Sequence, residues 1–153
     1  MRIRIIHVLI FLLGWLSLGA FYGSIPLILA PDGSMLGMDT AMLDNSIFQN
    51  YLVPGIILLV VFGLAPLFVI YGLIRRPRIR WPERLNLLCD HYWAWTFALY
   101  IGVGQVIWIN IQTLILNRVD LLHTIYSSLG LLILCVGLLP QVRNMYRIPN
   151  KYG

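Results

Sequence analysis

Residues 92–117, YWAWTFALYIGVGQVIWINIQTLILN, and residues 121–142, LLHTIYSSLGLLILCVGLLPQV, contain no Asp, Glu, Lys or Arg, and only Arg118, Val119 and Asp120 lie between them. Each stretch exceeds the roughly 20 apolar residues that carry an α-helix across about 30 Å of hydrocarbon. A link this short makes two consecutive helices lie side by side and run in opposite directions. The reading therefore starts from a helical hairpin in a bilayer.

Working outward, residues 5–30 and 45–74 are also free of charged side chains. The expected spans are about 5–29, 52–74, 92–116 and 121–141, in one transmembrane domain over residues 1–153. Composition agrees. The 153 residues are 59% hydrophobic and 11% charged, and mean hydropathy is +0.82. A soluble domain carries about 25% charged residues. The expected class is all-α, an integral-membrane antiparallel four-helix bundle with a short folded extracytoplasmic loop. Residues 5–30 run well past the roughly 7–15 residues of a signal-peptide core, so the first segment is expected to stay as a span.

The charges give an orientation. Arg2 and Arg4 precede the first span, Arg75, Arg76, Arg78, Arg80 and Arg84 separate the second and third, and Arg143, Arg147 and Lys151 follow the fourth. Arg118 alone lies on the other side, together with Asp32, Asp39, Asp44 and Asp120. The positive-inside rule then puts both termini in the cytoplasm. Arg75, Arg76, Arg78 and Arg80, with Trp81, Trp93 and Trp95 nearby, are expected to meet the bilayer's anionic headgroups. The net charge of +5 is thus a topology signal and no nucleic-acid partner is expected.

Two features mark the span faces. On the first span Gly19 and Gly23, and Ala20 and Ser24, are spaced four apart, forming a helix-packing face where another backbone can approach closely. On the third, Gln105, Trp108 and Gln112 share one face while Asn110 points away. Amides in hydrocarbon need partners. His123 and Tyr126 of the fourth span lie at comparable depth, so these five residues form either an interhelical network or a polar pocket, with Gln112 bonding His123 or Tyr126. Pro26, Pro54 and Pro66 are expected to bend their helices. In the loop, Pro31–Ser34 reads as a turn, Asp39 or Thr40 as a cap, and Ser46 with Gln49 as a capping box.

Catalytic patterns are missing. No H-E-x-x-H, G-x-S-x-G, P-loop or C-x-x-C occurs, and no carboxylate lies within a span. Coupled ion carriers normally keep an ionisable group there. His7, His91 and His123 cannot share a metal across the bilayer. No catalytic residues, metal or cofactor are therefore expected. The chain departs from small multidrug-resistance transporters, which depend on an embedded glutamate, and from vitamin K epoxide reductase-like proteins, which need paired cysteines; Cys89 and Cys135 are far apart.

The stretches LILAPDGSMLGM, NSIFQNYLVPGIILLVVFG, GVGQVIWINIQ and IYSSLGLLILCVGLLPQVR together resemble a widespread group of small, uncharacterised four-span proteins of bacteria. The resemblance implies a location in the bacterial cytoplasmic (inner) membrane and no activity. The leading expectation is a non-enzymatic membrane protein that self-associates as a homo-oligomer or joins a larger membrane complex as an accessory subunit. The alternative is a binder of a lipid, quinone or other small apolar molecule between the helices.

Overall fold

The structure, a computed structural model, describes residues 2–44, 46–116 and 118–148. Its regular elements are helices: α1 (Arg2–Leu29), α2 (Leu52–Arg75), the short α3 (Arg80–Arg84), α4 (Trp93–Leu116), α5 (Leu121–Leu138) and the short α6 (Pro140–Met145). Four of them, α1, α2, α4 and α5, are long and apolar enough to cross a membrane. On α1 the inward side chains include Leu9, Leu13, Leu16, Ala20 and Leu27, and the exposed ones are Phe11, Trp15, Leu18, Tyr22, Ile25 and Leu29. Both faces are apolar. The same holds on α4, where Val103, Ile107 and Leu114 point outward.

Each proline is handled differently. Pro26 lies inside α1, which continues to Leu29. Pro54 sits in the first turn of α2, where a missing N–H removes no intrahelical bond. Pro66 comes just after a π-helical stretch, Leu58–Leu64. A proline ring clashes with the carbonyl four residues back, and one extra residue per turn moves that carbonyl away. The Ser17 hydroxyl of α1 donates to the Gly63 carbonyl at 2.7 Å, giving that widened stretch a partner across the helix pair.

α4 and α5 meet at Gly102 and Gly130. A Cβ added to either glycine would come within about 3.1 Å of the other's carbonyl oxygen, so the two backbones touch there with no side chain between. α5 ends at Leu138 rather than near 141, because Leu139 precedes a proline. That position is driven out of the helical region, and Leu139 adopts φ −54°, ψ 134° before Pro140 opens α6.

The arginine-bearing end is closed by aromatic packing. Trp93 and Trp95 are buried; their indole N–H groups donate to the Pro77 carbonyl at 3.3 Å and the Gly137 carbonyl at 2.8 Å. Gly72 makes room for the Trp93 ring, which a Cβ would strike. The segment after α6 is stapled alongside: Tyr92 N–H donates to Tyr146 O and Ile148 N–H to Asp90 O, both at 2.8 Å. Buried His91 stacks on Trp95 with centroids 4.4 Å apart. The Arg143 Nε–H donates to its Nε2 at 3.4 Å, which leaves the ring proton on Nδ1 to donate to Asp90 at 2.7 Å. That bond holds the Asp90 carboxyl below its ordinary value. Burial pushes the Tyr92 hydroxyl, which donates to the Pro77 carbonyl at 2.6 Å, up to about 12. It raises Tyr146 too, whose hydroxyl donates to Leu73 O at 2.9 Å.

Candidate functional site

At the opposite end the 30–51 loop folds back over the helices. The expected turn forms: Gly33 N–H donates to Ala30 O at 3.0 Å, Gly33 takes a positive φ of 82°, and Asp32 accepts from the Ser34 N–H and hydroxyl. These bonds favour the anion and lower the Asp32 carboxyl from its ordinary value. Asp39 caps a 3-10 turn over Thr40–Leu43 by accepting from Ala41 N–H at 3.0 Å. Ser46 caps no helix. Its hydroxyl oxygen accepts from Phe48 N–H at 3.0 Å in a local turn, and the helix begins six residues later at Leu52, with Asn50 accepting from the Leu52 N–H.

Tyr51 ties this roof down. It is buried, its N–H donates to Pro31 O, and its hydroxyl donates to Asp39 O at 2.7 Å. Desolvation by burial, with the Asp39 charge added, raises that hydroxyl's pKa. Leu27 and Leu43 are buried beside it, and Ile115 of α4 packs against the group.

Beneath the roof lies a cavity of about 600 Å³. Its walls come from all four long helices: Leu16 and Ala20 of α1, Leu58 of α2, Gln105, Trp108 and Gln112 of α4, and His123 and Tyr126 of α5. From Leu116 down to Gln105 is about 16 Å at 1.5 Å per residue, so the cavity reaches roughly halfway along α4. Tyr22 of α1 and Leu122 of α5 line it yet are strongly exposed, and Gly37, Met42 and Arg118 are exposed lining residues at the loop end, so the cavity is not sealed from its surroundings.

The five residues predicted as a network or pocket therefore share one cavity, but not as a bonded network. Gln112 makes no hydrogen bond to His123 or Tyr126; instead His123 Nδ1 accepts from the Asp120 N–H at 3.1 Å, the reach-back that Glu or Gln makes in a capping box. Asp120 also accepts from Arg118 Nε at 2.8 Å. Asn110 faces away, exposed, donating to Val106 O on its own helix.

Two polar side-chain atoms on cavity-lining residues are enclosed and have no hydrogen-bond partner in the protein. Gln105 is 2% exposed and Trp108 9%, and neither Gln105 Oε1 nor Trp108 Nε1 is hydrogen-bonded. Gln105 sits where Gly130 of α5 leaves space, and the Trp108 ring packs near Phe62 at 6.2 Å.

No family model, curated protein or solved structure matches the chain.

The small-residue face of α1 is a helix-packing face within the chain. Gly19 accommodates the Tyr126 hydroxyl, which occupies the space a Cβ would need, and Gly23 faces Leu58 of α2. Ala20 and Ser24 are buried as well. The face is thus turned toward helices of this same chain. Arg75, Arg76, Arg78 and Arg80 are exposed, but Arg76 donates to Met145 O at 3.3 Å and lies 4.6 Å from the centroid of the Tyr146 ring. Among the described residues no group of three His, Cys, Asp or Glu is arranged to hold a metal ion. The residues missed by sequence reading are in the roof, chiefly Leu36, Met38, Leu43 and Tyr51. Signals existed for the turn at Pro31–Ser34 and the cap at Asp39, but not for the apolar loop residues, which follow no helical stripe.

Proposed function

We propose that this chain is a non-catalytic binding protein of the bacterial cytoplasmic membrane, which holds a small, largely apolar molecule in the cavity beneath the 30–51 loop. In this reading α1, α2, α4 and α5 cross the bilayer as an antiparallel bundle, the arginine-bearing end faces the cytoplasm and the loop end faces outward. Outward-facing Phe11, Leu18, Val103 and Leu114 suit contact with lipid tails rather than water.

The observation that carries the proposal is the cavity itself. About 600 Å³ lies in the range of roughly 300–1,000 Å³ typical of small-molecule sites, and its walls combine apolar side chains with a few convergent polar groups. The small-residue face of α1 is occupied within the chain. The carboxylate at the rim, Asp120, is engaged by Arg118, which fits a binding role better than acid–base chemistry. In this reading the exposed lining side chains Tyr22 and Leu122 mark where a lipid-soluble molecule enters from the bilayer without passing through water.

The test is to purify the protein in native lipid particles, extract it with organic solvent and compare the extract by mass spectrometry with that of the surrounding membrane. One apolar species should be enriched with the wild type and depleted with Ala20→Leu, which fills the cavity wall. An extract indistinguishable from bulk membrane lipid would overturn the reading.

A further inference from the structure

We infer that residues 80–88 form an anchor in the cytoplasmic leaflet, with Leu85 and Leu87 among lipid acyl chains and Arg80 and Arg84 at anionic headgroups. The inference rests on the bilayer placement proposed above and is independent of the cavity.

The segment is folded back along the flank of the bundle instead of hanging beyond its end. The Trp81 ring stacks on Phe68 of α2 with centroids 5.4 Å apart and meets Phe97 of α4 edge-on at 6.3 Å. Phe68 lies seven residues before Arg75, the last residue of α2, which is about 10 Å along the axis. Further on, the Tyr100 hydroxyl accepts from the Leu87 N–H at 3.0 Å and donates to the Leu85 carbonyl at 3.2 Å. Tyr100 likewise lies seven residues inside α4, which begins at Trp93. Two separate sets of contacts thus hold this connection alongside the terminal turns of two spans.

Its chemistry suits that position. Leu87 is 82% exposed and Leu85 59%, so both side chains point away from the protein. Residues 75–84 carry five arginines and one acid, Glu83, a balance that attracts anionic headgroups. Arginine stems can lie in the apolar layer while the guanidinium reaches back to phosphate. The backbone is provided for as well. Unpaired amides are too costly in hydrocarbon, and each N–H from Leu85 to Leu88 has a partner: the Pro82 and Glu83 carbonyls, the Tyr100 hydroxyl and the Asn86 side-chain oxygen. Buried Asn86 in turn donates its amide N–H to His91 O at 2.7 Å. A loop standing in water would find such partners in the solvent.

The experiment uses the full chain carrying Cys89→Ser and Cys135→Ser, with a nitroxide label at Leu87→Cys and, in a second sample, at Leu18→Cys, an exposed site midway along α1. Both are reconstituted in vesicles of phosphatidylethanolamine and phosphatidylglycerol. Power saturation then compares collisions with oxygen, which concentrates in hydrocarbon, and with a water-soluble nickel chelate. Oxygen should dominate at Leu87, as at Leu18 but by a smaller ratio. In the same vesicles, lipid held at the protein's edge should favour spin-labelled phosphatidylglycerol over phosphatidylcholine by at least about twofold, and Arg80→Gln with Arg84→Gln should lower that preference.

A Leu87 label that collides mainly with the chelate, while the Leu18 label favours oxygen, overturns the anchor and leaves the bilayer placement standing. Chelate-dominated collisions at both positions overturn both. Shielding of the Leu87 label from both reagents means that protein covers this face, which overturns the lipid assignment, and an unchanged lipid preference in the arginine variant removes the headgroups from it. Should Leu87→Cys fail to fold, Leu85→Cys carries the same measurement at a second exposed site.

Discussion

Helix α4 carries three indoles along its length, and they separate the two ends of the molecule. Trp93 and Trp95, at the arginine-bearing end, are buried with their N–H groups donating to the Pro77 and Gly137 carbonyls. Trp108, four turns on, is also buried, yet its N–H has no partner and its ring borders open space. The same side chain on the same helix serves as a packed structural element at one end and as a cavity wall at the other. The difference lies in what surrounds it. Gly72 and Gly137 bring neighbouring backbone close to Trp93 and Trp95, whereas the 30–51 loop spans the other end as a roof rather than filling it. A molecule with one close-packed end and one hollow end has its rigidity where no ligand is needed and its space where one can enter.

The largest expected effect tests this contrast. Trp95→Ala should cost about 3–5 kcal/mol, the range for deleting a large buried aromatic, read from unfolding titrations in mixed micelles. The same substitution at Trp108 should cost at least about 1 kcal/mol less, because the void joins space already present and no carbonyl loses its donor. Equal costs would mean the two ends are packed alike.

A smaller effect is expected at the cavity wall. Gly19→Ala puts a methyl group where the Tyr126 hydroxyl sits and should destabilise by about 1–3 kcal/mol through overpacking. Adding Tyr126→Phe should recover part of the loss, the non-additivity expected of touching residues. Gly14, whose added Cβ meets nothing within 4 Å, is the control: Gly14→Ala should be neutral or mildly stabilising. Additive behaviour of Gly19→Ala and Tyr126→Phe would remove the contact from the account.

The smallest effect is a pH dependence confined to the closed end. The Asp90 carboxyl lies below its ordinary value, first through the His91 hydrogen bond and also through the nearby Arg143 charge. A carboxyl lowered on folding stabilises the protein above its unfolded-state value, about 4, and loses that contribution as pH falls through the folded-state value. The thermal stability of the wild type relative to Asp90→Asn should therefore be greatest above about pH 4 and shrink as the pH drops below it. A difference that grows on acidification would contradict the staple.

Much of the fold was legible because length and charge act one residue at a time. Four long charge-free stretches, the turn at Pro31–Ser34 and the shared face of Gln105, Trp108 and Gln112 all follow from spacing and transfer cost, and the structure has all of them. The end of α5 at Leu138 was legible too, in Pro140, but the apolar run through Val142 outweighed it.

What the chain's order of residues determined is which segments are helices long and oily enough to cross a bilayer, and which few polar side chains those helices carry. Tertiary structure alone decided that Gly19 receives a tyrosine hydroxyl, that Ser17 partners the widened turn before Pro66, and that Gln105 and Trp108 end up unpaired beside a cavity. Helices apolar on every side have no polar face to mark which way they turn. Their rotation is set by the fit of shapes, and that exists only once the neighbouring helices are in place.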